Sequence, residues 1–457
     1  MNNYDVIIIG AGPAGIFAAR EISMYSYLKI LVLEKGRDVE KRHCPSENGI
    51  NKCQDCKLCS IMCGWGGAGA FSDGKLTLTT HFGGWLNDFI GTDQLESLIN
   101  YVDSVYVANG APARFFGGNE LDFLELSQQL SRVDLKLLPA RIRHMGTDNT
   151  KMVLRNLRTA LDEKITIKTG EAVQDILIEK SKVKGVKTSR ARYYAPRVIC
   201  APGRDGAQWF AQQAGRLNIP LSNNQIDLGV RIELPAATMQ ELTDKIYEPK
   251  ITYLSHEFKD LVRTFCVNPN GHVVMENTNG LITVNGHSFA NSHSENTNFA
   301  LLLSQNFTEP FNQPILYGRY IASLANMLSG GIIVQRYGDL KQGRRSTSSR
   351  IEQGGVVPTL KAAVPGDLSL VLPHRFMVGI KEFLEALNLA IPEVGSDDTL
   401  LYGIEVKFYS ARPQLNNHLK TPIDGLWAIG DGAGVSRGLI QASVSGVIAA
   451  QDLLATE

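Results

Sequence analysis

The feature that most constrains this chain is a short apolar run ending in a glycine-rich turn. Residues 4–9 are nearly all apolar and rich in isoleucine, which is typical of a parallel strand covered on both faces. Residues 10–15 then read Gly-Ala-Gly-Pro-Ala-Gly, and a helical pattern follows at once. Gly10 permits a tight turn, Gly12 lets the backbone approach a pyrophosphate, and Gly15 lets the helix pack closely on the strand. This order predicts a phosphate site at the N-terminus of the helix.

An acidic residue follows at the spacing that a dinucleotide site needs. After the helix predicted from Pro13 to about Met24, a second apolar run from Lys29 to Leu33 ends in Glu34, 19 residues beyond Gly15. An acid at about that distance accepts hydrogen bonds from an adenosine ribose. Because a carboxylate there would repel a 2′-phosphate, FAD or NAD fits better than NADP. The fold class predicted is therefore α/β, with a Rossmann-like domain.

A second glycine turn lies near the other end of the chain. Residues 425–434, Gly-Leu-Trp-Ala-Ile-Gly-Asp-Gly-Ala-Gly, predict a short strand and a Gly-Asp turn, with a helix from about Gly438 to Leu454. This stretch resembles the second flavin fingerprint of glutathione-reductase-like and hydroxybenzoate-hydroxylase-like enzymes. The resemblance implies that Asp431 accepts from a ribityl hydroxyl and that the helix N-terminus faces the flavin ring. The positive end of that helix favours the anionic reduced flavin. Together the two turns predict FAD as the cofactor.

Between these ends, the sequence predicts strands at residues 165–168 and 172–179. Residues 197–204, Arg-Val-Ile-Cys-Ala-Pro-Gly-Arg, resemble the strand and small-residue turn where such chains return to the FAD domain. By the same resemblance, Val173 contacts adenine through its backbone.

A glycine-rich block at residues 64–76, Gly-Trp-Gly-Gly-Ala-Gly-Ala-Phe-Ser-Asp-Gly-Lys-Leu, is the most specific of the stretches that resemble a known family. It is similar to a family of largely uncharacterised bacterial and archaeal FAD-dependent dehydrogenases, here in a short, cysteine-rich branch. The likeness covers nearly the whole chain, with further matching stretches at residues 229–233, 263–266, 284–286, 358–373 and 403–405. Longer members carry Glu where this chain has Asp431. Arg437 adds a cation near the predicted flavin that the family pattern lacks.

The glycines of this block would let the backbone approach a planar ring, with Ser72, Asp73 and Lys75 offering polar contacts. Lys75 is the candidate catalytic residue, since a Lys beside flavin N1 or a substrate carbonyl would stabilise developing negative charge. A solvated or phosphate-binding Lys is the alternative. The predicted cofactor-binding residues are Gly10, Gly12, Pro13, Ala14, Gly15, Glu34, Lys35, Arg42, Gly66, Gly67, Ala68, Ser72, Asp73, Val173, Ala201, Gly203, Gly430, Asp431, Gly434, Gly438 and Leu439.

Cysteines are bunched in the segment before this block. The run Cys53-x2-Cys56-x2-Cys59-x3-Cys63, with Cys44 upstream, resembles the bacterial ferredoxin spacing. It predicts a single [4Fe-4S] cluster whose fourth thiolate comes from Cys63 or Cys44. Zinc is an alternative, although structural zinc usually uses two cysteine pairs separated by a longer finger. A redox-active dithiol and inert reduced cysteines are the remaining alternatives.

The chain's 457 residues are too many for one ordinary core and predict separate domains. The predicted FAD-binding domain is discontinuous, formed by residues 1–226 with a cysteine-rich loop at 44–63 and by residues 393–457. The intervening residues 227–392 form an inserted α+β substrate domain. Within it, strands are predicted at 228–232, 262–267 and 281–284, and helices at 295–306, 316–329 and 374–388. In the last helix, the apolar residues recur at helical spacing, which favours core packing over a substrate slot.

Charge and composition limit the partners. Lys and Arg total 46 and Asp and Glu total 46, so net charge gives no reason to expect nucleic acid or an anionic membrane. The first residues lack a signal-peptide pattern, no run reaches the length of a membrane span, and the bunched, odd number of cysteines favours a reducing compartment. We therefore expect a cytoplasmic protein without an integral membrane segment.

The predicted function is that of an FAD-dependent dehydrogenase or reductase that transfers a hydride between flavin and a small-molecule substrate, with the cysteine centre as an electron relay to a redox protein. No second GxGxxG follows a strand, so NAD(P)H would dock only transiently. Two alternatives stay open: a flavin monooxygenase, and a flavin-bound redox sensor or binding module without turnover.

Overall fold

A computed structural model describes residues 2–45, 56–72, 74–117, 119–278, 280–288, 293–308 and 310–457. Cys53 and Asp73 lie outside these residues. The chain divides into two compact units. Unit 1 comprises Met1–Phe115, Arg141–Asn224 and Ser410–Glu457, and unit 2 comprises Phe116–Ala140 and Gln225–Tyr409.

The strands are β1 (Val6–Ile9), β2 (Ile30–Glu34), β3 (Lys75–Leu78), β4 (Leu135–Leu138), β5 (Arg141–His144), β6 (Thr166–Thr169), β7 (Val173–Glu179), β8 (Lys182–Thr188), β9 (Arg192–Tyr194), β10 (Arg197–Cys200), β11 (Leu221–Ser222), β12 (Ile226–Pro235), β13 (Lys250–Leu254), β14 (Leu261–Asn268), β15 (His272–Thr278), β16 (Leu281–His287), β17 (Asn296–Gln305), β18 (Ile333–Arg336), β19 (Val364–Pro365), β20 (Leu400–Lys407), β21 (Arg412–Pro413) and β22 (Leu426–Ala428).

The helices are α1 (Pro13–Tyr25), α2 (Asn87–Ile90), α3 (Thr92–Ala108), α4 (Glu120–Ser131), α5 (Thr147–Asp162), α6 (Ala207–Arg216), α7 (Ala236–Lys245), α8 (Pro314–Ser329), α9 (Tyr337–Lys341), α10 (Ser348–Glu352), α11 (His374–Ala390) and α12 (Leu439–Ala455). Short 3-10 turns occur at Val39–Lys41, Gly67–Phe71, Leu368–Leu370 and Asp431–Ala433.

Unit 1 is built on a five-stranded parallel sheet with the order β22-β10-β1-β2-β6. Its central strand β1 is buried along its whole length, as expected for a parallel strand with both faces covered. Helices α1 and α12 approach closely because Gly446 has no side chain: a Cβ there would lie 2.2 Å from the Ala14 carbonyl oxygen. The predicted Rossmann-like α/β fold, assembled from distant parts of the chain, is confirmed.

Unit 2 is built on an eight-stranded sheet with the order β19-β18-β20-β12-β17-β14-β13-β4. All its neighbours are antiparallel except β18 and β19. Helix α11 packs on one face of the sheet, and its apolar positions are buried in the same core as the apolar residues of β12 and β17. The predicted α+β insert and the core role of this helix are confirmed.

One predicted element of unit 2 is wrong. Residues 295–306 were predicted to be helical, but Asn296–Gln305 is the strand β17, which lies between β12 and β14. Its first eight residues are all buried because neighbouring strands flank it and both sheet faces are covered. Its apolar run, residues 299–303, is too short for periodicity to distinguish a buried strand from a buried helix.

The bounds of the units also differ from those predicted for the domains. The insert runs from Gln225 to Tyr409 rather than from 227 to 392, and it also contains Phe116–Ala140. Sheet pairing explains both differences. Strand β20 pairs with β12, which places residues 400–407 in unit 2, and β4 pairs with β13, which draws in the earlier segment.

Candidate dinucleotide-binding site

The first glycine turn is fixed by two close backbone approaches. Gly10 has φ +99°, and a Cβ there would lie 2.1 Å from the Ala201 carbonyl oxygen. A Cβ at Gly15 would lie 2.0 Å from the Gly10 carbonyl oxygen. Neither distance admits a side chain, which accounts for glycine at both positions.

The glycines that precede α1 and α12 are different. Gly12 caps α1 with φ −77° and ψ −179°, a conformation open to any residue, and a Cβ there would lie 3.9 Å from the nearest described atom, the Gly67 Cα. Gly438 caps α12 in extended backbone, with no described atom within 4 Å of a Cβ there. Neither helix has a side-chain cap or an acidic residue in its first turn. Within the part of the chain that the structure describes, both N-termini therefore present amide groups without hydrogen-bond partners beside open space.

Three glycine turns meet at one edge of the parallel sheet. Since β1, β10 and β22 are parallel neighbours, their carboxyl ends share that edge. A Cβ at Gly432 would lie 2.3 Å from the Gly203 carbonyl oxygen, and one at Gly430 would lie 3.0 Å from the Ala14 Cβ. The turns predicted from opposite ends of the sequence are thus packed against each other.

Glu34 is buried at the end of β2 and bonded to backbone amides. Its Oε2 accepts from the Ala11 amide at 2.9 Å, and its Oε1 accepts from the amides of Gly36 and Gly64 at 2.7 and 3.0 Å. The carboxylate joins the first turn, the end of β2 and the glycine-rich block. Its ribose contact stays a prediction.

The glycine-rich block lies against the first turn. The Gly66 amide donates to the Ala11 carbonyl at 2.8 Å, and a Cβ at Gly67 would lie 3.1 Å from the Gly12 Cα. Ala68 follows in the 3-10 turn, and the Ser72 hydroxyl donates to the Gly69 carbonyl at 2.8 Å. The block therefore adjoins the turn that is predicted to hold pyrophosphate. A small cavity beside it is lined by Pro13, Gly66, Gly69, Tyr106, Met145, Thr150, Val153, Leu154 and Leu439.

Asp431 begins the 3-10 turn of the second fingerprint. Its Oδ1 accepts from the Ser436 hydroxyl at 2.6 Å, and its Oδ2 accepts from Arg204 Nε at 3.0 Å. Gly434 ends the turn in the left-handed region, with φ +67°. Sequence analysis did not single out either partner of Asp431, although Arg204 directly follows the predicted turn at Gly203. The ribityl contact stays a prediction.

The Arg42 side chain forms hydrogen bonds with the backbone just before and at the start of the glycine-rich block. Its guanidinium donates to the carbonyls of Ser60, Ile61 and Trp65 at 2.9, 2.8 and 2.7 Å. Burial lowers the pKa of Arg42 to about 10. These three hydrogen bonds hold the loop together, which is a structural role for the side chain. Its contact with the cofactor stays a prediction.

Lys35, Asp205 and Cys63 form a polar group beside the cysteine run. Cys63 is buried and its thiol donates to Asp205 Oδ2 at 3.0 Å, while the Lys35 ammonium contacts the same carboxylate oxygen. Burial, reinforced by the bond to Asp205, raises the pKa of the Cys63 thiol. Burial disfavours the charge of Lys35, but the Asp205 and Cys63 neighbours raise its pKa overall.

The other described cysteines of the run are less buried. Cys44 and Cys59 are partly exposed and Cys56 is exposed. The Cys63 amide donates to the Cys59 carbonyl at 3.0 Å, so these two residues lie in one helical turn. Across the described ranges, which omit Cys53, no three or more His, Cys, Asp or Glu side chains are grouped to hold a metal ion. The metal assignment stays a prediction.

Lys75 and Val173 each begin a strand. Lys75 is half-buried at the start of β3, where it alternates with the buried Leu76 and Leu78. Val173 is half-buried at the start of β7. The catalytic role of Lys75 and the adenine contact of Val173 stay predictions.

The structure adds a segment that sequence analysis missed, residues 83–85. The Trp85 amide donates to the Val435 carbonyl at 3.0 Å, and the Arg437 amide donates to the Gly83 carbonyl at 2.8 Å. The guanidinium of Arg437 lies 3.8 Å from the centre of the Trp85 ring. The cation noted at Arg437 is therefore stacked on an indole, between the Gly-Asp turn and α12. The Gly-Gly-Trp sequence was the available signal.

Comparisons with known proteins agree with this geometry. Residues 225–408 match a family described as "FAD-dependent protein, C-terminal domain-like". A relative from Clostridium beijerinckii, described as an uncharacterized protein, is 28% identical over 477 aligned positions, which cover 98% of this chain and 80% of the relative.

Two solved structures illustrate the structural likenesses. The L-proline dehydrogenase from P. horikoshii has a TM-score of 0.42 at 11% identity, covering 100% of this chain and 94% of the other. The glycine oxidase from Bacillus cereus has a TM-score of 0.39 at 12% identity, covering 99% and 95%.

Within the described residues, no helix has both the length and the apolar character to cross a membrane.

The match over residues 225–408 lies entirely within unit 2, and the two dinucleotide turns lie in unit 1. The two observations are independent because they concern different parts of the chain. Together they point to FAD as the cofactor of this protein.

Proposed function

We propose that the protein is a dehydrogenase or reductase that transfers a hydride between FAD and a small-molecule substrate. The observation that carries the proposal is the pair of open helix N-termini at Gly12 and Gly438. Among the described residues, neither glycine is required by backbone conformation or by a neighbouring atom. A glycine at such a position is explained by a ligand that must approach the backbone closely.

The chain's own groups suit the parts of FAD. The first amides of α1 would bind the pyrophosphate, and Glu34 would bind the adenosine ribose. The N-terminus of α12 would lie beside the ring and favour negative charge on it. Bound FAD would supply the two-electron chemistry. Lys75 is the proposed catalytic residue, stabilising negative charge at the ring or at a substrate carbonyl.

A glycine substitution tests FAD binding separately from folding. Gly12→Ala places its methyl group in open space and keeps an allowed backbone, so we expect unchanged stability of the apoprotein. Because the methyl group blocks close approach, we expect FAD affinity to fall by about tenfold or more, which corresponds to about 1.4 kcal/mol. The measurement is FAD titration of apoprotein, followed by flavin fluorescence.

Gly215→Ala is the matched control. Gly215 also lies in unit 1 with no described atom within 4 Å of a Cβ, but it belongs to α6 rather than to a turn. Its substitution should leave FAD affinity unchanged. Equal affinities of Gly12→Ala and wild type, or a wild-type protein that binds no FAD, would contradict the proposal.

The reaction type is tested by anaerobic reduction of the bound flavin with candidate small molecules. Flavin bleaching that requires the small molecule supports a dehydrogenase. Oxygen-dependent formation of a hydroxylated product would instead indicate a monooxygenase. Reoxidation only by a protein partner, with no small molecule affecting reduction, would indicate a redox sensor.

We also infer that the cysteine run holds an iron–sulfur centre that serves as an electron relay to a redox protein, with zinc as the alternative metal. The proposed ligands are Cys53, Cys56, Cys59 and Cys63, with Cys44 as an alternative fourth ligand. Support comes from their spacing. Metal and acid-labile sulfide are measured on protein prepared without oxygen. Iron and sulfide near four per flavin would support the relay, zinc would indicate a structural site, and absence of metal would overturn the inference.

A further inference from the structure

One face of the unit 2 sheet is both buried and charged. On β12, the apolar residues Leu228, Val230, Ile232 and Leu234 face the core, whereas Asp227, Arg231 and Glu233 alternate with them and face the other way. All three charged residues are fully buried, as is Glu405 on the neighbouring strand β20. Charged groups are rarely buried unless each is paired. We call this side of β12, β14, β17 and β20 the polar face.

Two carboxylates of the polar face, those of Asp227 and Glu405, already accept hydrogen bonds from several donors. Glu405 accepts from Arg231 through Nε and Nη2 at 2.8 and 2.9 Å, and also from Lys407 at 3.0 Å. Asp227 accepts from the Ser304 hydroxyl at 2.7 Å and the Gln225 amide at 3.2 Å, and contacts Arg263 and Tyr409. An ionised carboxylate offers about four acceptor positions, so little acceptor capacity remains there.

Donors, by contrast, are left over. Among the described residues, Arg263 Nε and Asn298 Nδ2 are buried and have no hydrogen-bond partner. Both residues lie on the polar face. Asn298 is paired with Glu233 of β12. Arg263 is paired with Leu302, which is paired in turn with Gly229, a β12 residue that alternates with the core-facing ones. A buried donor without a partner is destabilising, and a ligand with acceptor oxygens at Arg263 would satisfy its donor.

The end of the polar face near Arg263 is also accessible. The side chains of Arg263 and Lys407 are 16% and 19% exposed, whereas Arg231 and Glu405 are 0% exposed. Phe265 lies on the same face, with the Arg263 guanidinium 5.5 Å and the Lys250 ammonium 4.8 Å from its ring centre. Two partly exposed cations therefore flank a face that also offers an aromatic ring.

We propose that Arg263, Phe265 and Lys407 form a binding site for a small organic acid, with its carboxylate on the two cations and its apolar body against Phe265. Arg263 is suited to this because Asp227 and Tyr409 fix its guanidinium. Lys407 stays cationic: burial opposes its charge, but Glu405 raises its pKa overall. Calling this acid the substrate rests on the proposed function, whereas the site itself does not.

The test is calorimetric titration of the full-length holoprotein with benzoate, with benzamide as the uncharged probe of the same shape. We expect benzoate to bind at least about tenfold more tightly, because charge-assisted hydrogen bonds are stronger than hydrogen bonds to a neutral amide. Lys407→Met should weaken benzoate binding by about tenfold. This variant should fold because Glu405 keeps its bonds to Arg231.

A second variant tests Arg263 without leaving an unpaired charge that could unfold the protein. Arg263→Gln combined with Asp227→Asn removes both buried charges, so neither is left unpaired. It should weaken benzoate binding by a similar factor. Arg345→Gln is the control: Arg345 is an exposed cation in a basic loop of the same unit. Its substitution should leave benzoate binding unchanged.

Each remaining outcome overturns the inference. Equal binding of benzoate and benzamide, unchanged binding in both variants, an equal loss in Arg345→Gln, or no binding of benzoate would contradict the site. FAD content, measured on the same samples, separates the two proposals. Bound FAD without benzoate binding removes only the organic-acid site, and benzoate binding without FAD removes only the flavin function.

Discussion

The two units form their polar sites by different means. In unit 1 the site consists largely of backbone: glycine turns, two open helix N-termini, and a carboxylate, Glu34, bonded to three amides. In unit 2 it consists of charged side chains on neighbouring strands, such as Arg231 and Glu405, which are 174 residues apart in sequence. A site made of backbone can be predicted from a local sequence motif. A site made of paired side chains exists only once the strands have paired.

The largest effect is expected from breaking the buried pair of unit 2. Arg231→Met leaves the Glu405 carboxylate buried with Lys407 as its remaining cation, and removing one partner of a buried pair costs about 3–5 kcal/mol. Urea unfolding should show the loss as a lower midpoint. Arg231→Met combined with Glu405→Leu should recover much of it. If the single variant is as stable as the double, the polar face does not depend on paired charges.

The corresponding change in unit 1 removes no charge at all. Gly10→Ala forces a side chain into a backbone with φ +99° and against the Ala201 carbonyl, 2.1 Å away. We expect a loss of about 2–3 kcal/mol, comparable to other overpacking changes. The matched variant is Gly12→Ala, which meets neither obstacle. Equal unfolding midpoints for the two variants would show that steric fit does not fix the turn.

A pH measurement tests the apolar interior of unit 1. Tyr106 of α3 is buried and bonded to Ser443 of α12 at 3.0 Å, and burial raises its pKa to about 12. Since a tyrosine in the unfolded chain titrates near pH 10, the stability that neutral Tyr106 provides is complete below about pH 10. It should fall by about 1.4 kcal/mol per pH unit as pH rises towards 12. Tyr106→Phe lacks this loss, so parallel pH profiles of the two proteins would contradict it.

The smallest effect is expected at the exposed ion pair of the second fingerprint. Arg204 is 61% exposed where it contacts Asp431, which keeps its bond to Ser436. Because exposed pairs contribute about 0–1 kcal/mol, Arg204→Gln should shift the unfolding midpoint of the apoprotein very little. A large shift would mean that side chains, and not only backbone, maintain the unit 1 site.

Much of unit 1 could be predicted because its signals are local. The strand, turn and helix at residues 4–25 follow from apolar patterning and glycine spacing. The contact of Arg204 with Asp431 could not be predicted, because the two residues are 227 positions apart and meet only after β10 and β22 pair. The segment at Gly83–Trp85 was missed for the same reason, as its hydrogen bonds go to residues far along the chain.

Unit 2 was predicted less well because its signals are not local. The apolar run in Asn296–Gln305 allowed a helix or a strand, and pairing with β12 and β14 decided between them. Matching stretches at residues 229–233, 263–266, 284–286 and 403–405 had no visible relation in the sequence. In the structure, the Arg231 guanidinium of the first stretch contacts Cys266, Asn285 and Glu405 of the other three.

By itself, the sequence determined the Rossmann-like fold of unit 1 and pointed to FAD, because glycine spacing and apolar periodicity act over short stretches of chain. Tertiary structure alone decided which glycines are required by packing and which leave a helix N-terminus open. It also decided which charges of unit 2 are paired. Both depend on distances between atoms of remote segments, and chain folding sets those distances.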